Sequence, residues 1–294
     1  MTTSVTFLSR QERFRSVAST NDIVRTWMAE GTPEVCLAVA DEQTAGRGRS
    51  GRSWVAPSGA ALLLSLGFEP AYVEPDRLWR LGATVALAMA DAAEEVAGLS
   101  TGKLELKWPN DIVVKAADAP AGLRKVAGVL GETEGAGTPG VRAVIGIGVN
   151  ADWPRDTFPA ELAPFMTSLR EASGGRPIDL DALLDAFLLR LEPRVLALRD
   201  GYFDVAGWHA RQITTGRTVR VDMPDGTSQV VGAVGVDGAS GALLVEDSTG
   251  VERELLVGEI AHVRLAPEGG PDGGPDGGPG GGSDGGPSGR GVTH

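Results

Sequence analysis

The segment 76–96 carries the clearest period in this chain. Its apolar residues fall at Leu78, Leu81, Val85, Ala88, Met89, Ala92 and Val96, and Gly98 follows. Spacings of three and four put them on one stripe of a helix, and a glycine just past the end can take the left-handed turn that stops it. A striped helix must bury that stripe against something. The apolar runs around it, 35–40, 61–68, 104–108, 112–114, 126–134 and 141–149, are too short to be helices. They read as strands, and Leu62, Leu64 and Leu66 share one face of theirs. Local strand pairs with long helices between them predict an α/β (α+β) architecture.

A short helix is predicted to begin near Asp22, with Ser19 or Thr20 as its cap and Ile23, Trp27 and Met28 on one face. A second long helix is predicted over 180–198, where Pro193 should produce a kink or two consecutive helices. Beyond Trp208 the texture changes. Short strands are predicted at 217–223, 228–236, 242–246, 251–257 and 260–264, with turns at Asp225-Gly226 and the glycines of 238–241. That pattern fits a small five-stranded barrel. From Pro267 onward Gly-Gly-Pro-Asp repeats offer no apolar face, so this tail is expected to be disordered. The division expected is 1–212, 213–266 and a tail, 267–294.

With 294 residues there is room for two domains. The net charge of -12 argues against nucleic acid as the main partner, because phosphate contacts need a basic surface. Part of the charge sits in the tail, where Glu268, Asp272, Asp276 and Asp284 face only Arg290. The single cysteine, Cys36, lies in an apolar strand and reads as a buried core thiol. One cysteine, no signal peptide in residues 1–15 and no membrane-length apolar run fit a reducing cytoplasm. His209, His262 and His294 share no ligand spacing, so zinc is not expected.

Against that acidic background, Gly46-Arg47-Gly48-Arg49-Ser50-Gly51-Arg52-Ser53-Trp54 concentrates positive charge in a flexible loop. Glycine lets backbone approach a ligand, and arginine offers a fork of donors for carboxylate or phosphate. Three further segments follow in order: Lys107-Trp108-Pro109-Asn110-Asp111, Lys125-Val126-Ala127-Gly128-Val129-Leu130-Gly131-Glu132, and Val144-Ile145-Gly146-Ile147-Gly148-Val149-Asn150. Together with Ser19-Thr20-Asn21, the ordered set resembles the biotin–protein ligase family, from about Ser19 to Arg264.

The resemblance implies a mixed-sheet catalytic domain of the biotin/lipoate ligase type over 1–212, followed by an SH3-like β-barrel. It implies synthesis of biotinyl-5′-AMP from biotin and ATP with Mg2+, then transfer of biotin to a lysine of a biotin carboxyl carrier protein domain of a carboxylase. Ser19, Thr20, Asn21, Gln43, Gly46, Arg47, Gly48, Arg49 and Lys125 fall at biotin-site positions, with Arg47 acting mainly through its backbone. Arg49, Trp54, Lys107, Asn110, Lys125 and Asn150 fall at nucleotide positions, with Trp54 against adenine and Asn150 on the base. Lys125 and Arg49 would meet the biotin carboxylate and the α-phosphate. Asp111 would either help hold magnesium or orient the acceptor lysine. Plainer readings stand beside these: capping for Ser19 and Thr20, a core indole for Trp54, turns for Asn110, Asp111 and Asn150.

Family members are often dimers through the central sheet, so the resemblance allows a homodimer, and no residue pattern in the chain decides it. A lipoate ligase or octanoyl transferase of the same superfamily is the near alternative, and the Gly-Arg-Gly-Arg loop with Lys-Trp-Pro-Asn-Asp favours biotin. A biotin-responsive DNA-binding repressor is disfavoured, because the residues before Ser19 are too few for a winged helix. An RNA-binding Gly/Arg protein is disfavoured by charge.

Overall fold

The computed structural model describes residues 7–257 and 262–265. The expected tail, 267–294, and part of the strand expected at 260–264 lie outside them.

The first sheet comprises β1 (Arg10–Phe14), β2 (Cys36–Ala40), β3 (Ala61–Phe68), β4 (Leu104–Lys107), β5 (Asp111–Lys115), β6 (Leu123–Glu134) and β7 (Arg142–Asn150), in the order β1-β2-β3-β7-β6-β5-β4. The β1–β2 pair is parallel and every other neighbour pair is antiparallel, so the sheet is mixed. Its helices are α1 (Thr20–Ala29), α2 (Trp79–Ala97), α3 (Leu169–Ala172), α4 (Leu180–Arg199) and α5 (Val205–Ala210). The alternation of β2 shows how the layers form. Cys36 and Ala38 pack with Val24, Trp27 and Met28 of α1, while Leu37 and Val39 join the core that α2 and α4 cover. The sheet is thus covered on both faces, and β2 and β3 are buried along their whole lengths. Each such Leu or Val, taken out of water, contributes about 1.5–3 kcal/mol before entropy is counted.

The helix read at 76–96 begins as a 3-10 turn at Pro75–Arg77 and continues as α2, ended by Gly98 in the left-handed conformation with φ 58°. Pro193 does not divide its helix; α4 runs through it as one element. The strand β1 was not visible in the sequence. Its residues Arg10-Gln11-Glu12-Arg13 are polar and it lies at the sheet edge, so it has no apolar period to read. Cys36 is fully buried, and burial pushes its thiol up to about 11.

The second sheet holds β8 (Arg217–Asp222), β9 (Ser228–Val236), β10 (Leu243–Glu246), β11 (Glu252–Leu255) and β12 (His262–Leu265), all antiparallel, in the order β11-β10-β9-β8-β12. It docks on the first unit through specific bonds. Trp108 Nε1 donates to the Gly241 carbonyl at 2.9 Å, and the Trp108 amide donates to Thr214 Oγ1 at 2.9 Å. Trp79, Phe203 and Trp208 cluster beside them, the Trp79 and Trp208 rings 4.6 Å apart. Such rings add attraction beyond their buried area.

Candidate active site

The N-terminus of α1 is built for something other than capping. Ser19 holds the cap position in an extended conformation, yet its side chain makes no capping bond. Thr20 and Asn21 turn inward instead. Gln43 Oε1 accepts from the Thr20 amide at 2.7 Å and lies 3.0 Å from Thr20 Oγ1. Thr20 Oγ1 is 2.7 Å from Ser65 Oγ, and Ser65 donates to Asn21 Oδ1 at 2.6 Å. Asn21 Nδ2 donates to Glu132 at 2.8 Å. Thr20, Asn21 and Ser65 are 2%, 4% and 0% exposed, so each polar group depends on these partners. Gly146 on β7 makes room for the arrangement: a Cβ there would lie 2.2 Å from Asn21 Oδ1.

The Gly/Arg stretch folds back on itself, with the Trp54 amide bonded to the Gly46 carbonyl and the Gly48 amide to the Arg52 carbonyl. Sequence resemblance implied a backbone role for Arg47, but its side chain is engaged too. Its guanidinium grips Asp22 with two 2.8 Å bonds and reaches Glu132 at 3.5 Å. Arg47, assisted by Arg25 and opposed by burial, holds the Asp22 carboxyl down at about 2. Arg49 turns the other way and donates to the Val257 carbonyl at 2.9 Å. Burial and the neighbouring Arg52 charge lower its pKa.

Trp54 lies on the small-residue floor of β6 and β7. A Cβ at Gly148 would be 2.5 Å from its indole, and one at Gly128 would be 3.1 Å away. Glycines therefore admit a flat ring where any side chain would exclude it. Trp54 Nε1 is buried without a partner among the described residues. The same tryptophan is a wall of two clefts. One also holds Ser19, Thr20, Asn21, Gln43 and Arg47; the other holds Arg49, Asn110, Lys125 and Asn150. Gly46 and Gly48 lie in the loop that borders them. Asn110 donates to the Val129 carbonyl and Asn150 to the Thr167 carbonyl, which fixes the ends of their strands.

Lys125 Nζ sits 2.6 Å from Asp111 and 5.3 Å from the Trp54 ring centroid. Lys107 Nζ is 3.8 Å from Asp111 and donates to the Val263 carbonyl at 2.8 Å. Burial lowers the Lys107 pKa against the pull of Asp111. Burial works to raise Asp111, but Lys125 and Lys107 outweigh it and hold the carboxyl below its usual range. Asp111 is thus committed to two ammonium groups. Among the described residues no cluster of three His, Cys, Asp or Glu could hold a metal. A magnesium ion usually keeps waters and phosphate oxygens with one or two carboxylates, and Asp111 could join such a set only by giving up one of its two ammonium partners.

Sequence reading missed Ser65, Glu132, Asp22 and Arg25 as parts of this site. Ser65 carried a signal: it is the one polar residue in the apolar strand Ala61–Phe68. The arrangement can bind an uncharged polar ring in one cleft and neutralise anions in the next. Neither cleft needs a protein nucleophile.

The chain as a whole is similar to known proteins. Residues 13–150 match the Biotin/lipoate A/B protein ligase family. The Mycobacterium tuberculosis biotin–[acetyl-CoA-carboxylase] ligase is 32% identical over 230 residues, 78% of this chain and 79% of that one. The Bacillus spizizenii bifunctional ligase/repressor BirA is 31% identical over 239 residues, 81% of this chain and 69% of that protein. The Aquifex aeolicus biotin protein ligase, solved with biotin and ATP, aligns with a TM-score of 0.71 at 25% identity, covering 87% of this chain and 99% of that one. The chain belongs to the biotin–protein ligases of the biotin/lipoate ligase family. It is a ligase enzyme, and among its described residues no helix is long and apolar enough to cross a membrane.

Proposed function

We propose that this chain activates biotin with ATP to biotinyl-5′-AMP and then transfers biotin to a lysine of a carboxylase's biotin carboxyl carrier domain. The observation that carries this reading is the pair of clefts sharing Trp54. One offers buried hydroxyl and amide groups suited to a ureido ring. The next offers Lys125 and Arg49 for two anions that must be brought together.

In the first step a biotin carboxylate oxygen attacks the α-phosphorus, the bond to the β-phosphate oxygen breaks, and pyrophosphate leaves. Lys125 neutralises the charge that repels the reactants, and Asp111 holds Lys125 and Lys107 in position. Arg49 exchanges its Val257 carbonyl for substrate oxygens. Trp54 offers a flat face to adenine, and Asn110 and Asn150 border the nucleotide. Asp111 would be the carboxylate to meet a magnesium ion carried by ATP, which would offset phosphate charge. In the second step a carrier lysine amine attacks the mixed-anhydride carbonyl, the bond to AMP breaks, and the amine proton passes to solvent. The Gly46–Gly48 loop excludes water from the adenylate.

The same proposal takes 1–212 as the catalytic domain, 213–266 as an SH3-like domain closed from the five-stranded sheet, and 267–294 as a tail. It includes a cytoplasmic location, supported by the lone buried Cys36, and a homodimer through the first sheet. The test is incubation with biotin, ATP and magnesium, with mass spectrometry for biotinyl-AMP, followed by addition of a carrier domain. Adenylate and a biotinylated carrier lysine are expected. Failure to form adenylate from biotin, with turnover of lipoate or octanoate instead, would overturn the reading.

A further inference from the structure

The polar chain behind the first cleft has a direction, and one residue outside the cleft sets it. We infer that Glu132 is a positioning residue that fixes which way every proton points from Asn21 through Ser65 to Thr20. The inference rests on the reading of that cleft as the ureido site.

The argument starts at the carboxylate, which can only accept. Glu132 Oε2 stands 2.8 Å from one end of the Asn21 amide. That end must be the NH2, so the amide oxygen faces Ser65. Ser65 Oγ, 2.6 Å from it, must then spend its only proton there. Ser65 can now only accept from Thr20, 2.7 Å away. Thr20 has one hydroxyl proton, and it goes to Ser65. The 3.0 Å approach of Thr20 Oγ1 to Gln43 Oε1 therefore carries no proton, and Gln43 Oε1 is satisfied by the Thr20 amide at 2.7 Å. Two consequences reach the cleft. Thr20 Oγ1 presents lone pairs, an acceptor for a ring N–H. Gln43, its oxygen pinned, presents its NH2, a donor for a ring carbonyl.

Reversing the Asn21 amide would reverse everything downstream. Ser65 would accept from Asn21 and donate to Thr20, and Thr20 would become a donor. The cleft would then repel the N–H it should receive. Nothing within the cleft forbids that reversal, because serine and threonine serve either polarity. Only the charge at 132 does. Both oxygens of Glu132 face donors: Oε2 lies 2.5 Å from Arg25 and 2.8 Å from Asn21, and Oε1 lies 3.5 Å from Arg47.

Glu132→Gln is nearly isosteric but can donate or accept, so it frees the polarity. We expect the biotin KM for adenylate formation to rise about tenfold, the scale of one lost hydrogen bond, with kcat changed less than twofold. The double variant Asn21→Asp/Glu132→Gln puts an obligate acceptor at 21 and a donor at 132. It should bring KM back to within about threefold of wild type, since the direction at Ser65 is restored. Glu134→Gln removes an exposed carboxylate two residues along β6, 3.4 Å from Arg25 and without contact to Asn21, and should leave KM within about twofold. An unchanged KM in Glu132→Gln, or a double variant no better than the single one, overturns the inference. Equal loss in Glu134→Gln also overturns it, by making negative charge near Arg25, rather than the acceptor at 132, the cause. Calorimetry of wild type with biotin separates the two levels. If wild type does not bind biotin, the ureido reading fails; if it does and the variants match it, only the relay fails.

Discussion

Gly146→Ala is the sharpest structural perturbation the site offers. The added Cβ would lie 2.2 Å from Asn21 Oδ1, 3.2 Å from its Cγ and 3.4 Å from its Nδ2. A methyl carbon needs well over 3 Å, so Asn21 must retreat by about an ångström, beyond what a hydrogen bond survives. The Ser65 bond of 2.6 Å and the Glu132 bond of 2.8 Å cannot both be kept. Each buried group left unpaired costs about 1–3 kcal/mol, and the crowding itself about 1–3 kcal/mol. With one group unpaired a total loss of about 2–6 kcal/mol follows, enough to lower Tm by several degrees in a domain of this size. Gly82→Ala is the matched control. It lies in α2, and its nearest neighbour would be Val129 Cγ1 at 3.8 Å, so helix propensity should make it neutral or stabilising by up to about 1 kcal/mol. Thermal and urea melts on both variants, with biotin binding by calorimetry, decide the matter. A Gly146→Ala protein that melts with wild type and binds biotin equally would refute the reasoning, because the clash could then be absorbed without breaking the relay.

Lys125→Ala should slow adenylate formation by about 2–4 kcal/mol of transition-state stabilisation while the fold melts normally, read by pyrophosphate release; wild-type rates would remove Lys125 from the mechanism. Arg49→Gly should still make adenylate but release it, labelling bystander proteins mixed with the enzyme; unlabelled bystanders and an unchanged adenylate off-rate would end the clamp idea. Asp111→Asn removes the charge that opposes burial at Lys107, so the Lys107 pKa falls further and the alkaline limb of the adenylation rate should move to lower pH. The acid side carries the complementary sign. Because Asp111 is held below its unfolded pKa, its stabilisation is present above the ordinary carboxylate range and lost as pH falls through the depressed value, and Asp111→Asn should flatten that loss in acid melts.

What the sequence made legible was what is local. The stripe of α2, the glycine that ends it, the hairpin of β6 and β7 and the five late strands all have short periods or turn residues within a few positions. The Gly/Arg loop was legible because its charge contradicts the rest of the chain. The relay was not. Asn21 meets Glu132 across 111 positions, and Ser65 meets Asn21 across 44. No window of sequence contains both partners, and each alone reads as a cap, a strand end or an odd serine. Pro193 misled for a related reason. A missing amide weakens a helix locally, but α4 buries Leu183, Phe187, Leu191 and Val195 on both sides of it, and packing sets the outcome.

The carbonyls of Val257, just past β11, and of Val263, on β12, hold Arg49 and Lys107. Any anion that draws those cations into the cleft must displace a peptide oxygen already in place. Substrate capture is then a substitution, and its measured affinity is the difference between two sets of contacts. Main-chain oxygens cannot be altered by exchanging side chains, so the second sheet supplies a reference strength that drifting sequence leaves untouched. In the proposed reaction those two bonds set a threshold: a visitor must offer Arg49 and Lys107 more than two peptide oxygens already do.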